Sequence, residues 1–350
     1  MNRTALYRHP LFLAHDPGFD HVESAERLRV INEVLDSASL SGKFAEPDFR
    51  PATAEELALN HSQKMIERVA GTAGKRFDVL DPDTMTSADS YGAAGLAAGA
   101  LISGLDQLMA GEIDNGFALV RPPGHHAERD QSMGFCLFNN VAVAAHYATR
   151  VLGLDRVMIV DWDLHHGNGT QSSFYESDKV LYVSSHLYPY YPGTGACSES
   201  GRGYTINIPL PGYQGDEDYA ALMNEIVIPV GRAYKPQLIL ISCGFDIFVG
   251  DPLGTMQVSA KGISYLTRAL MRLASEVCGG RLLVTLEGGY DLTAQREGTL
   301  AVLAELRGGL DGYDYAGRLS EADDLRLSSQ KISQPFLLQP WEVAKQYWNL

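Results

Sequence analysis

Short, mainly apolar runs recur along this chain, near 117–120, 157–160, 180–184, 204–208, 238–242 and 282–286. Stretches with helical periodicity lie between most of them, near 139–151, 216–234 and 259–276. A continuous run such as Val157-Met-Ile-Val160 reads as a strand buried on both faces. Its alternation with helices predicts an α/β fold, a parallel sheet with helices on both faces. In such a sheet ligands bind beyond the carboxyl ends of the strands, so that is where the chemistry is expected.

The segments before the alternation are less regular. Thr4–Tyr7 reads as a first strand, and His15–Glu26 as a polar loop holding His21 and Glu23. Leu28, Ile31, Val34 and Leu35 share one face of a helix, and Thr53-Ala-Glu-Glu56 fits a capping box. Leu80–Ser90 reads as a loop, followed by an alanine- and glycine-rich helix near 91–110. There is no repeat, low-complexity segment or interdomain linker, so residues 1–350 are expected to form one domain. Its site-bearing part spans about 15–308; 309–350 reads as an irregular extension whose Trp341–Leu350 end docks on the body.

Composition limits the functions open to such a domain. Net charge is -15, from 28 basic and 43 acidic residues, which speaks against tracking a nucleic-acid backbone and suits a cationic or neutral substrate. Cys136, Cys197, Cys243 and Cys278 are scattered without a C-x-x-C pair, as free thiols of a reducing compartment would be. No apolar run approaches membrane-spanning length and the first residues lack a signal-peptide core. The expectation is a cytoplasmic protein with neither membrane nor nucleic acid among its partners.

Five segments place polar residues after the strands. Arg121-Pro-Pro-Gly-His-His126 offers tandem histidines that read as metal ligands, an acid/base pair or satisfied surface residues. The run ending at Val160 leads into Asp161, Asp163, His165 and His166, with glycines flanking Asn168. An Asp and a His two residues apart in extended chain project to one side, so Asp163 and His165 can share an ion. Val183-Ser-Ser-His186 presents hydroxyls and carbonyls to a hard cation, and Ile241–Asp246 ends an apolar strand on an aspartate. Leu286-Glu-Gly-Gly-Tyr290 presents a tyrosine after two glycines. Singly, Asp246 reads as a helix cap and Tyr290 as packing. Together these segments supply two carboxylates and an imidazole for zinc, a paired-histidine base and a phenol donor, the parts of a metal-assisted amide hydrolysis.

With those residues in place, the chain resembles the zinc-dependent histone deacetylase superfamily, which includes bacterial histone deacetylase-like and acetylpolyamine amidohydrolases. The resemblance rests on Arg121–His126, Gly134-Phe-Cys136, Asp161–Thr170, Pro192-Gly-Thr-Gly195, Gly244-Phe-Asp246 with Gly250-Asp-Pro252, and Glu287-Gly-Gly-Tyr290. Asn168 and the Glu-Gly-Gly-Tyr form are similar to class II members and their bacterial relatives. The resemblance implies the arginase–deacetylase fold, a single domain around an eight-stranded parallel sheet. It makes Asp163, His165 and Asp246 the ligands of one Zn2+, with Fe2+ an acceptable substitute. It makes His125 and His126 the paired histidines, His126 the general base, and Tyr290 the oxyanion donor. Phe135 and Tyr191 would wall an acyl-lysine tunnel beside Gly134. Asp83, or Asp81, would grip substrate amides. Ser184, with carbonyls including that of Asp161, matches a structural K+ site; a second would use backbone near Phe174, Ser177, Val180 and Tyr204. Arg27 matches an arginine lining an internal channel, with a surface salt bridge the other reading.

Elementary chemistry agrees with these roles. Two carboxylates and a neutral imidazole balance a zinc ion and leave positions open. Asp161 can orient His125, and Asn168 can orient His126 without adding charge. Leu253 falls where polyamine-specific relatives resemble one another in carrying a glutamate, so leucine favours an acetylated lysine side chain over a small acetylated amine. The functional expectation is removal of acyl groups from lysine Nε, with acetylpolyamine deacetylation as the alternative. An arginase-like binuclear hydrolase would need a carboxylate where Phe248 stands. A non-catalytic acetyl-lysine reader would be expected to have lost His126, Tyr290 or a metal ligand.

Overall fold

The computed structural model describes residues 1–348 and 350. Its strands are β1 (Thr4–Tyr7), β2 (Asp78–Asp81), β3 (Thr84–Thr86), β4 (Asn115–Ala118), β5 (Val157–Asp161), β6 (Val180–Leu187), β7 (Thr205–Leu210), β8 (Leu238–Cys243) and β9 (Leu282–Leu286). Seven of them form one sheet in the order β1-β4-β9-β8-β5-β6-β7. All its pairings are parallel. Every residue of β5, β8 and β9 is buried, as runs dominated by Val, Ile and Leu require when helices cover both faces.

The chain runs outward from β5 through β6 to β7, then returns to lay β8 on the other side of β5. This reversal opens a crevice at the carboxyl ends of β5 and β8, which in sheets of this kind is the ligand position. Asp161 ends β5 and lies in register with Ser184 on one side and Ser242 on the other. Asp163, His165 and Asp246 follow directly after these two strands.

The helices Ser90–Met109 and Asn140–Arg150 pack together in one covering layer, and Ala260–Cys278 and Leu292–Arg307 in the other. Asn139 and Ser259 cap two of them through side-chain oxygens that accept backbone N–H groups. The capping box expected at Thr53 and Glu56 is present. One hydrophobic cluster runs from Ala5 to Ala344 and joins both layers to the sheet.

Three expectations need correction. Among the described residues the sheet has seven strands rather than eight. At the β1 edge, where another strand would lie, Ala45 makes a single parallel bridge to Ala5. Pro47, two residues on, has no N–H to continue a ladder. The 80–90 segment is no plain loop, because β2 and β3 pair as an antiparallel hairpin. Pro82, with its fixed φ, sits in the turn between them. Residues 309–348 are also more regular than expected. They hold the helices Glu321–Ser328, opened by a capping box at Ser320, and Pro335–Tyr347. Beyond them, the Trp348 indole donates to the Gly203 carbonyl at 3.0 Å.

Candidate active site

The residues expected to bind a metal meet beyond β5 and β8. Asp163, His165 and Asp246 are all buried and each offers a ligand atom within 4.8 Å of the others. His165 Nδ1 lies 3.2 Å from Asp163 Oδ1 and 3.0 Å from Asp246 Oδ2. The outer oxygens are already satisfied by backbone: Gly288 N–H donates to Asp163 Oδ2 and Leu164 N–H to Asp246 Oδ1, each at 2.8 Å. A Cβ at residue 288 would stand 2.5 Å from Asp246 Oδ2 and 2.7 Å from Asp163 Oδ2. Glycine is required there so that backbone can close over the carboxylates.

The electrostatics of this triad call for a cation. Burial and the neighbouring charge of Asp163 both push the Asp246 carboxyl upward. Burial opposes charge on His165, yet its hydrogen bonds to Asp163 and Asp246 outweigh this and lift it to about 9. The two buried carboxylates thus favour positive charge between them, and a divalent ion would satisfy the same oxygens with His165 neutral. One nitrogen and two carboxylate oxygens are a donor set that Zn2+ or Fe2+ accepts.

The tandem histidines lie beside this triad and differ from one another. His125 Nδ1 faces Asp161 Oδ2 at 3.1 Å, and that oxygen also accepts the Tyr182 hydroxyl at 3.0 Å. Burial disfavours charge on His125, but the carboxylates of Asp163 and Asp161 prevail and raise it to about 10. His126 goes the other way. Burial, then the positive charges of His125 and His165, push it well below the ordinary imidazole range. Its Nδ1 lies 2.8 Å from Asn168 Oδ1, which can only accept, so the proton sits on Nδ1 and Nε2 carries the free lone pair.

A cavity of about 200 Å³ opens onto these groups, lined by His126, His165, Tyr290, Phe135, Gly134, Tyr190, Tyr191, Leu253 and Asp83. Phe135 stands perpendicular to Tyr290, and Tyr191 perpendicular to His126 at 5.1 Å between ring centres. A Cβ at residue 134 would come within 2.4 Å of the His126 ring, so glycine brings the wall against the histidine. Asp83 Oδ1 accepts from Gly134 N–H at 3.0 Å and from the Thr84 hydroxyl at 2.8 Å. Asp81 is outside the lining and takes Gln131 instead. Tyr290 is kept protonated by burial, which pushes it well above its ordinary value. Asp251 accepts its backbone N–H at 2.7 Å, fixing where the ring begins. Ser184 Oγ lies 2.9 Å from His186 Nδ1, and His186 Nε2 is 2.8 Å from the Gly195 carbonyl. The imidazole must therefore donate to Gly195, and the serine hydroxyl turns its hydrogen to Nδ1, leaving its lone pairs free.

Several residues of the site escaped sequence reasoning. Tyr190 stacks along His165 at 5.7 Å. Glu287, fully buried, accepts from Gly124 N–H at 2.7 Å, His125 N–H at 3.1 Å and the Ser242 hydroxyl at 3.0 Å, and so holds the histidine loop against β8. Glu128 reaches Asn168 at 2.7 Å. Below the site, Glu23 bridges Arg27 and Arg121, with His15 beside it. Arg27 is wholly buried and lies 5.2 Å from the Tyr290 ring centre, which removes the surface reading. In the sequence Arg27 carries the channel reading, Arg121 and Glu287 stand within motifs without an assigned role, and Tyr190 and Glu128 carry no signal of their own.

Comparison with known proteins gives a consistent assignment. A family profile described as the histone deacetylase domain matches residues 21–306. Histone deacetylase 15 of Arabidopsis thaliana is 41% identical over 82% of this chain, which spans 53% of that protein. A probable deacetylase of Archaeoglobus fulgidus is 36% identical, covering 87% of this chain and 86% of its own length. The histone deacetylase-like amidohydrolase of Pseudomonas aeruginosa is 39% identical over 82% and 77%. The crystal structure of the HDA15 HD domain superposes with a TM-score of 0.87 at 36% identity, over 99% of this chain and 96% of that one. The chain belongs to the histone deacetylase family, a family of deacetylases and amidohydrolases.

Proposed function

We propose that this protein removes acetyl groups from the Nε amine of lysine side chains, using one divalent ion, Zn2+ first, held by Asp163, His165 and Asp246. The observation that carries this reading is the pairing of a neutral, buried His126 with that triad along one cavity that Tyr290 also lines. When bound, the ion polarises an amide carbonyl and lowers the pKa of water. His126 Nε2 takes the proton from the attacking water, and the low basicity of the buried imidazole keeps it ready to accept at neutral pH. The Tyr290 hydroxyl donates to the oxyanion as it develops. His125, held by Asp161, faces the negative charge that gathers beside it and orients its neighbour.

Phe135 and Tyr191 bound the cavity with aromatic surface, which fits a chain of methylene groups. Leu253 offers a second ammonium nothing, which favours an acylated lysine. The acetylpolyamine reading draws on Asp83, a carboxylate in the cavity wall. A structural K+ beside Asp161 and Ser184 belongs to the same proposal, supported by the lone pairs that the Ser184–His186 contact leaves free. No helix among the described residues is long and apolar enough to cross a membrane. The four cysteines are buried and unpaired, which suits the cytoplasm we propose.

Measuring kcat/KM of zinc-loaded protein on an acetyl-lysine peptide and on acetylated putrescine, cadaverine and spermidine separates the substrates. A preference of about tenfold or more for the peptide, some 1.4 kcal/mol, supports the lysine reading. The reverse preference transfers the proposal to polyamines.

A further inference from the structure

The carboxamide of Asn168 has nearly the same shape in its two orientations, so sterics do not choose which end faces His126. Its neighbours do. Asn168 Nδ2 is surrounded by Glu128 Oε1 at 2.7 Å, the His126 carbonyl at 3.3 Å and Met133 Sδ at 3.4 Å, all of which accept. Only the contact with Glu128 is both short and charged, and charge-assisted hydrogen bonds are about twice as strong as neutral ones. Glu128 is anchored in turn. Its N–H donates to the Gln131 carbonyl at 2.8 Å, and its own carbonyl lies 2.9 Å from His61 Nδ1. It is half-buried at the edge of the site, where a carboxylate keeps part of its hydration.

We infer that Glu128 is a positioning residue, which through Asn168 selects the tautomer of His126 whose Nε2 can accept a proton. This rests on the reading of His126 as general base. With Asn168 reversed, its NH2 would face Nδ1, Nδ1 would have to accept, and the proton would move to Nε2. A histidine protonated on Nε2 cannot take a proton there. A substituent that only donates at position 128 should therefore reverse the carboxamide and disarm the base without touching either ring. An aspartate at 168 presents acceptor oxygens in both orientations and has none to lose.

The test combines 15N NMR of the imidazoles in zinc-loaded protein with kcat and KM on an acetyl-lysine peptide. It compares Glu128→Gln, Glu128→Lys and the double variant Glu128→Lys/Asn168→Asp. Glutamine can still present an oxygen to Asn168, so it should keep the Nδ1–H tautomer and a kcat near that of the parent. Lysine should move the proton to Nε2 and lower kcat by about tenfold or more at nearly constant KM. The double variant should recover both the tautomer and kcat. An unchanged tautomer in Glu128→Lys, a loss in Glu128→Gln equal to that in Glu128→Lys, or a double variant that does not recover would each overturn the inference. The NMR readout does not depend on turnover. Full activity in His126→Ala would instead dismiss the general base and leave the tautomer result to stand or fall alone.

Discussion

Replacing Asn168 by aspartate places a negative charge behind the imidazole we assign as the base. The present contact, His126 Nδ1 to Asn168 Oδ1, is 2.8 Å. Charge centres of an imidazolium and a carboxylate in that contact are about 4 Å apart. At an effective dielectric near 20 their attraction is about 4 kcal/mol, or about 3 pKa units at 1.4 kcal/mol each. Glu128 works against this, since its Oε1 lies 2.7 Å from the Asn168 nitrogen that a second carboxylate oxygen would replace. The two carboxylates would share a proton at least part of the time, as close like charges do, leaving a rise of about one unit. The base must be neutral to act, so a higher pKa moves the acidic limb of the kcat/KM profile to higher pH. The assay is that profile between pH 5 and 9 on an acetyl-lysine peptide, parent against Asn168→Asp. An acidic limb that stays in place or moves down would refute the assignment of His126 as the group behind it.

Other expected outcomes follow from the same geometry. Tyr290→Phe removes a hydroxyl that burial keeps protonated; kcat should fall by about 10²–10³ with KM nearly unchanged, measured by steady-state kinetics. Glu23→Gln leaves the buried guanidinium groups of Arg27 and Arg121 without their counter-charge, and urea unfolding should show a loss of about 3–5 kcal/mol. Burial alone would raise the Glu23 carboxyl, but Arg121 and His15 hold it well below the usual range. Its contribution is therefore present above about pH 4.3 and lost as pH falls further, a dependence that Glu23→Gln should lack. Leu253→Glu puts a carboxylate in the cavity wall; the ratio of kcat/KM for acetylspermidine over peptide should rise by about tenfold.

The central strands were legible because each is built on an apolar run, as in Val157–Val160, Leu238–Ile241 and Leu282–Val284, and Asp163, His165 and Asp246 because they follow closely after two such runs. Asp83, Gly134, Phe135, Tyr191 and Leu253, carried over by resemblance, come together around one cavity. What could not be read depends on contacts between distant segments. Glu287 is legible as part of the Glu-Gly-Gly-Tyr motif but not in its role; its place follows from β9 lying beside β8, which brings it under Gly124 and His125. The Glu23 cluster joins a loop before the first long helix to Arg121 after β4, a pairing that no local pattern announces. The hairpin of β2 and β3 was missed because Pro82 and its flanking aspartates dominate a segment with only three residues in its second strand. The absent eighth strand reflects a ladder that stops at Ala45, two residues before a proline. Glu128 carried no motif of its own, and its meaning appears only when Asn168 is seen to lie against it.

The most direct test of the central claim is acetate release from an acetyl-lysine peptide by zinc-loaded protein, run beside Asp246→Ala with the bound metal quantified in both. We expect one zinc per parent chain and steady acetate release. Asp246→Ala should lose the metal and the turnover together, while His126→Ala keeps the metal and loses the turnover. One zinc per chain with no acetate released from this peptide or from any acetylpolyamine would contradict the account, and would make the cavity a binding site for acylated amines instead of a catalyst.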